Sequence, residues 1–420
     1  MMNIAQLYQL YSQTYLADTD TRKIRKGSMF FCLKGDNFNG NEFAEEALKT
    51  GANYVVIDEE KHQTNPNIIL VENVLETLQI LANFHRKHLS IPVISLTGSN
   101  GKTTTKELIN AVLSKKYVTA ATTGNLNNHI GVPLTLLSMT TKTEIGIVEM
   151  GANHIKEIAF LCSIAEPNYG LITNFGKAHL EGFGSFEGVV KAKSELYDFL
   201  RVNNKTVFIN TDDQLQVKQS AGINAIEFNN TVVKFMDANP FVKVQFKNTM
   251  IESNLIGKYN YNNIAVAVAV GDHFNVPETD IKMAIENYIP ANNRSQLIQK
   301  GSNKIILDAY NANPTSMQAA LENFAQLKDE NKVVFLGDMF ELGKDSVAEH
   351  KKIADLVDSY HFSNVFLIGK AFSATNAKNA FVSESFESFK NSINYSNINN
   401  ATILIKGSRG MALERLLDLL

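Results

Sequence analysis

One segment, Leu96-Thr97-Gly98-Ser99-Asn100-Gly101-Lys102-Thr103-Thr104-Thr105, constrains this chain more than any other. An apolar run, Val93–Leu96, feeds a glycine-containing turn, Thr97–Gly101, and Lys102–Lys116 then reads as a helix. A strand that turns straight into a helix opens a βαβ unit, so a mainly parallel sheet with crossover helices is expected. The same turn carries chemistry. Backbone N–H groups of the turn and of the helix start form an anion site, and glycine lets the backbone approach phosphate without a Cβ clash. Gly98, Ser99, Asn100, Gly101 and Thr104 would cradle a nucleotide's phosphates. Lys102 would neutralise β/γ-phosphate charge, and the Thr103 hydroxyl would ligate Mg²⁺. The commoner form of this loop has a further glycine upstream, where this chain has Leu96.

Strand-like runs recur on both sides: Met29–Leu33 and Tyr54–Asp58 before it, Ile145–Glu149, Gly170–Thr173 and Val207–Asn210 after it. Helical stretches separate them, Asn41–Thr50 stopping at Gly51 and Val74–His88 leading to Ile91-Pro92. Ile264–Val270 fits a strand or a helix, with Asn262 and Asn263 as possible helix caps. Past Ile289-Pro290-Ala291-Asn292-Asn293 a second series follows at Lys304–Leu307, Val333–Leu336, Val365–Ile368 and Thr402–Ile405, and Met411–Leu420 closes the chain. With 420 residues, at roughly 100–200 residues per domain, three α/β domains are expected: 1–90, 91–291 and 292–420.

Forty basic and 43 acidic side chains give a formal charge of −3. That balance argues against a nucleic-acid coat or a membrane-surface protein. Cys32 and Cys162 stand alone, without zinc-type or redox-type neighbours, as expected of a reducing cytosol. Met1–Tyr15 lacks the apolar core of a signal peptide, and no apolar run reaches the ~18 residues of a membrane span. The expectation is a cytoplasmic protein, without membrane insertion, working as a monomer.

Other groups can carry chemistry. Glu149 ends a strand-like run, where a carboxylate faces the ligand crevice of an open α/β sheet and can bind Mg²⁺. His179 lies in Asn174-Phe175-Gly176-Lys177-Ala178-His179, while His154, outside any such string, reads as a surface or packing histidine. On residues alone, Val190–Leu196 is the solvated face of an amphipathic helix. Arg294 is a candidate phosphate or ribose contact.

The chain resembles the Mur ligases, ATP-dependent amide-forming enzymes of peptidoglycan precursor synthesis. The likeness rests on Thr97–Thr104, on Glu149-Met150-Gly151-Ala152, on Asn174–Ser185 and on Gly257–Asn263, with Tyr259 where the family has His. It implies three domains: a small α/β unit for the UDP-sugar, a central P-loop-type ATPase unit, and a Rossmann-like unit that takes the incoming amine and closes on ATP. The resemblance implies ATP and Mg²⁺ as cofactors and names Lys102, His179 and Lys193 as catalytic. His179 would reach a second Mg²⁺. Lys193, with Lys191 as the fallback, would become an anionic metal ligand after carbamylation by CO₂. Asn263 would bind adenine, with Arg294 and Asp308 at the nucleotide.

Phe30–Gly40, with Thr21, Arg22, Lys34 and Gly35, is similar to the UDP-sugar domain of two family members, which add the third residue and the terminal dipeptide. Thr123–Pro133, containing Asn125, Asn127 and Asn128, and Tyr310-Asn311-Ala312-Asn313-Pro314 with Leu336–Gly343 match the dipeptide-adding member. The implied substrates are UDP-MurNAc-tripeptide and D-Ala-D-Ala, joined through an acyl phosphate. The alternatives are the third-residue ligase and a noncatalytic nucleotide-binding relative. The intact set Lys102, Thr103, Glu149 and His179 argues against decay.

Overall fold

The computed structural model describes residues 2–291 and 293–420. Met1 and Asn292, the first residues of the expected N-terminal and C-terminal domains, lie outside the described residues. The chain is α/β throughout, with mainly parallel sheets in three successive units.

In the first unit Ala17–Asp18, Met29–Phe31, Tyr54–Ile57 and Ile68–Leu70 form a parallel sheet in that order. Gly51 stops the helix Ala44–Thr50 at φ +124°, as its position in sequence suggests. The helix Val74–Leu89 begins where the Asn73 side chain accepts from the Glu76 N–H at 2.9 Å. Its buried face, Val74, Leu78, Leu81, Ala82 and His85, follows helical spacing. This helix also anchors the next unit. The buried Arg86 guanidinium donates to the Ala165 carbonyl at 3.0 Å and to Asn168 Oδ1 at 2.6 Å.

The central unit holds six parallel strands in the order Asn224–Phe228, Thr206–Asn210, Tyr169–Ile172, Val93–Thr97, Ile145–Glu149, Thr119–Ala121. Val93–Thr97 and Ile145–Glu149 are wholly buried, as continuous runs in a parallel sheet covered on both faces should be. The segment 264–270 is helical, within Tyr261–His273. It is buried almost all round because it lies in one core with the helix Lys102–Leu113 and the sheet, so it has no polar stripe to reveal its period. Asn262 and Asn263 do not cap it. They sit inside its first turn, and Asn260 at the cap position makes no side-chain capping bond. An antiparallel sheet of Val233–Ala238, Phe241–Phe246 and Thr249–Ile256 covers this side.

The last unit has the strand order Gln296–Lys300, Asn303–Asp308, Thr402–Lys406, Lys332–Gly337, Asn364–Ile368, Phe381–Ser383, parallel except for the first pair. The closing segment forms two 3₁₀ stretches, Arg409–Met411 and Leu413–Asp418, whose Leu413 and Leu416 are fully buried.

Candidate active site

The site grows from the central strand Val93–Thr97. Beyond Thr97 the chain turns through Gly98 (φ +144°) and Gly101 (φ +78°), both left-handed. A Cβ on Gly98 would lie 2.0 Å from Thr173 Oγ1, and one on Gly101 2.6 Å from Asn263 Oδ1. Glycine is therefore required twice, by conformation and by space. The turn is braced from the neighbouring strand end: Asn174 Oδ1 accepts from the Asn100 N–H at 3.1 Å, and Ser99 Oγ donates to the Gly176 carbonyl at 2.8 Å. No side chain caps the helix Lys102–Leu113 at Gly101. Its first N–H groups are left for an anion. Lys102 Nζ folds back onto the Gly98 carbonyl at 2.7 Å. Burial lowers its pKa, while Glu149 pulls the other way and Arg294 adds to the fall.

Glu149 ends the adjacent strand, 1% exposed. Its Oε2 accepts from Thr103 Oγ1 at 3.0 Å and its Oε1 from Asn127 Nδ2 at 2.8 Å. Both donors are neutral, so the positive charge that a buried carboxylate needs comes from Lys102 nearby or from a bound cation. A hydroxyl and a carboxylate beside a phosphate turn are the hard oxygen donors that Mg²⁺ takes alongside phosphate, so the residues fit that ion.

Lys193, on the helix Phe186–Val202, is fully buried. This corrects the solvated-face reading, and Lys191 is the exposed one. Lys193 Nζ donates to the Ala152 carbonyl at 3.2 Å and lies 5.0 Å from the Phe183 ring centroid. Burial, reinforced by Lys102, holds its pKa well below the usual lysine value, against Glu157 and Glu195. His179 stands edge-on to the same Phe183 ring, with centroids 6.3 Å apart. His154 is exposed and pairs with Glu157, in keeping with its reading.

The C-terminal unit supplies the opposite wall. Arg294 stacks on Tyr310, 3.7 Å from the ring centroid, with Arg409 at 5.9 Å. Asp308 Oδ2 binds the buried Lys406 Nζ at 2.5 Å, and its Oδ1 accepts from the Ser295 N–H at 3.2 Å. Asn313 Oδ1 caps the helix Pro314–Gln326 while its Nδ2 donates to Asn100 Oδ1 at 2.7 Å. That bond joins the wall to the phosphate turn. Lys177 adds a second tie, its N–H to Thr315 Oγ1 at 3.0 Å and its Nζ to Glu349 Oε1 at 2.8 Å.

Between these walls lies a cavity of about 930 Å³. Ser99–Thr104, Asn125, Asn127, Asn128, Glu149, His179, Asn263, Arg294, Asp308, Tyr310, Asn311 and Asn313 all line it. Gly98 and Lys193 do not, although Ala152, to which Lys193 is bonded, does. Asn263 accepts from Thr105 at 3.0 Å and donates to Asn260 at 2.8 Å, so its amide also braces the loop. Asn128 holds the turn into the helix Gly131–Leu137 through the Ile130 and Gly131 N–H groups. Thr21, Arg22, Lys34 and Gly35 lie away from the cavity, on the N-terminal unit. Arg22 pairs with Asp20 at 2.8 Å, and Lys34 with Asp58 at 2.8 Å and Glu59 at 3.1 Å. Sequence reasoning missed Lys406 and Glu341 as wall residues. Glu341 stands in the string Leu336–Gly343 and Lys406 directly follows the run Thr402–Ile405, but nothing local marks which residue turns inward.

Comparison with known proteins covers nearly the whole chain. Residues 15–92 match the family description "Mur ligase family, catalytic domain", residues 96–271 "Mur ligase middle domain", and residues 293–409 "Mur ligase, glutamate ligase domain". The UDP-N-acetylmuramoyl-tripeptide–D-alanyl-D-alanine ligase of Bacillus subtilis is 35% identical, over 97% of this chain and 93% of its own. A crystal structure of MurF from Acinetobacter baumannii superposes with a TM-score of 0.86 at 28% identity, covering 99% of this chain and 97% of that one. A MurF ligase from Thermotoga maritima, in complex with ADP, gives 0.82 at 25% identity, with 96% of each chain covered.

Proposed function

The chain belongs to the Mur ligase family, and we infer that it is an ATP-dependent ligase joining D-alanyl-D-alanine to UDP-N-acetylmuramoyl-tripeptide, the pair named for its relatives. The observation that carries this reading is the single cavity shared by a phosphate turn and an Asn-rich wall from another unit, tied by Asn100 and Asn313. A ligase must hold ATP, an acceptor acid and an amine together, and one unit alone cannot surround all three.

The acceptor's terminal carboxylate attacks the γ-phosphorus of ATP, and ADP leaves. The amine of D-alanyl-D-alanine then adds to the acyl phosphate, and the tetrahedral adduct collapses to the amide, releasing phosphate. Lys102 is proposed to leave the Gly98 carbonyl and take up the phosphoryl charge, a preorganised electrostatic contribution. Mg²⁺ held at Thr103 and Glu149, and a second ion at His179 and a carbamylated Lys193, would neutralise charge on the transferring group. Burial keeps the Lys193 amine toward its neutral form, the form that adds CO₂ with loss of a proton. Arg294 and Asp308 are proposed at the nucleotide, and Tyr310, Asn311 and Asn313 at the amine. Thr21, Arg22, Lys34 and Gly35 are proposed to hold the UDP end, the acceptor spanning from the N-terminal unit to the cavity. The ties between walls would keep water from the acyl phosphate.

No helix among the described residues is long and apolar enough to cross a membrane. Nucleotide substrates and two buried free cysteines favour the cytoplasm. The test is phosphate release by the purified protein with ATP and Mg²⁺. The reading requires release only when UDP-MurNAc-tripeptide and D-alanyl-D-alanine are both present. Release with UDP-MurNAc-dipeptide and a diamino acid would assign it instead to the third-residue ligases.

A further inference from the structure

The edge strand Thr119–Ala121 leaves the central sheet beside Glu149, and one buried threonine manages the exit. Parallel pairing runs from Thr119 with Ile145 to Ala121 with Ile147. The Thr122 N–H still donates to the Ile147 carbonyl at 3.0 Å. At the next rung the side chain takes the place of the main chain: Thr122 Oγ1 accepts from the Glu149 N–H at 2.9 Å. The Thr122 carbonyl, turned out of the ladder, accepts from Lys106 Nζ at 2.7 Å. A buried carbonyl without a donor is costly, so the lysine makes this departure tolerable.

Lys106 is 3% exposed and plays no part in the proposed catalysis. It follows Thr103 by three residues on the helix Lys102–Leu113, so both project from one face. Thr103 Oγ1 holds the Glu149 carboxylate from one end, and Lys106, through Thr122, holds the Glu149 backbone from the other. The ring closes on the helix that carries the phosphate turn. The charge of Lys106 is met by Glu107 Oε1 at 3.6 Å, and Glu107 Oε2 accepts from the Tyr288 hydroxyl at 2.6 Å. The chain beyond Thr122 brings in Asn127, whose Nδ2 donates to Glu149 Oε1 and whose carbonyl accepts from the Gly151 N–H, both at 2.8 Å. Neither Thr122 nor Lys106 lines the cavity.

We propose, resting on the reading of Glu149 as a Mg²⁺ ligand, that Thr122 and Lys106 are positioning residues: together they fix the Glu149 carboxylate and the Asn127 loop at a set distance from the phosphate turn. A carboxylate held at its backbone and at both oxygens is preorganised for a cation. Outer partners of this kind are worth about 10–100-fold in metal affinity or activity.

The test is calorimetry of the full chain with ADP, alone and with Mn²⁺ as the probe metal. Thr122→Val keeps the side-chain shape and removes the acceptor. Its Kd for Mn²⁺–ADP should rise about 10–100-fold, with the Kd for ADP alone within about twofold of wild type. Thr122→Ser should stay within about twofold for both, since its hydroxyl still accepts. Lys106→Met keeps the hydroxyl and frees the carbonyl, and should also weaken Mn²⁺–ADP while sparing ADP alone. The two changes together should cost less than the product of their separate losses, because both act on one residue. Hydrogen exchange follows the contact itself: the Glu149 N–H should exchange at least about tenfold faster in Thr122→Val and stay protected in Thr122→Ser. Wild-type affinity for Mn²⁺–ADP in either Thr122→Val or Lys106→Met, or an equal loss in Thr122→Ser, overturns the proposal. A wild-type protein that binds Mn²⁺–ADP no more tightly than ADP overturns it too, by removing the metal role of Glu149. None of these readouts needs turnover, so a failure of the ligase reading shows separately, as absent phosphate release.

Discussion

Replacing Lys193 with Met separates what the side chain does for activity from what it does for stability. The lysine is fully buried, donates one hydrogen bond at 3.2 Å and has no carboxylate within ion-pair reach among the described residues. Met has similar length and volume and needs no such partner. Each unit by which burial depresses the amine's pKa costs the folded state about 1.4 kcal/mol when the lysine is charged, a cost that Met does not carry, so Lys193→Met should melt at an equal or higher temperature. The pH dependence has a definite sign. The folded pKa is depressed by burial, so below it both states hold the proton and the whole burial penalty is felt. Between it and the unfolded value of about 10.4 the unfolded chain binds more protons, and wild-type stability rises with pH. The advantage of Met should therefore be largest at low pH and shrink as pH rises toward that value. Phosphate release should meanwhile fall by at least about 100-fold, or about 2.7 kcal/mol of barrier. Thermal melts and turnover of the metal-free and Mg²⁺-loaded protein across pH check both halves. A variant that melts lower at every pH, or that keeps wild-type turnover, would refute the reasoning.

Lys102→Met should cost about 10²–10³ in kcat with little change in melting temperature, read by steady-state kinetics beside a thermal melt. Gly101→Ala forces a Cβ to 2.6 Å from Asn263 Oδ1 at φ +78°. ATP affinity by calorimetry should drop at least about tenfold, and the left-handed backbone adds about 1–2 kcal/mol of destabilisation. Glu149→Gln keeps the hydrogen-bonding shape but removes the charge, so the Mg²⁺ concentration for half-maximal activity should rise while ATP binding without metal is unchanged or tighter.

How much of this was legible in the sequence depended on whether the signal was local. The strand into Thr97, the glycines of the turn and the run Ile145–Glu149 were all readable, because a buried parallel strand is a continuous apolar run wherever it occurs. The antiparallel sheet over 233–256 was not read, although Val242, Val244 and Phe246 alternate inward along Phe241–Phe246. The segment 264–270 stayed ambiguous because a helix buried on all sides loses its period. Lys193 looked like a surface residue because its burial comes from packing around Ala152 and Phe183, which no window of sequence contains. The approach of Glu341 Oε2 to His179 Nδ1, 2.5 Å, was equally out of reach, since the two residues lie in different units. The family resemblance supplied roles for His179 and Lys193 that their local patterns could not.

The central claim is transfer through an acyl phosphate, and an isotope settles it most directly. UDP-MurNAc-tripeptide labelled with ¹⁸O in its terminal carboxylate would be turned over with ATP, Mg²⁺ and D-alanyl-D-alanine, and the released phosphate weighed by mass spectrometry. The account predicts one ¹⁸O in phosphate for each UDP-MurNAc-pentapeptide formed, because the attacking carboxylate oxygen leaves with phosphorus. Pentapeptide formation with unlabelled phosphate would contradict it.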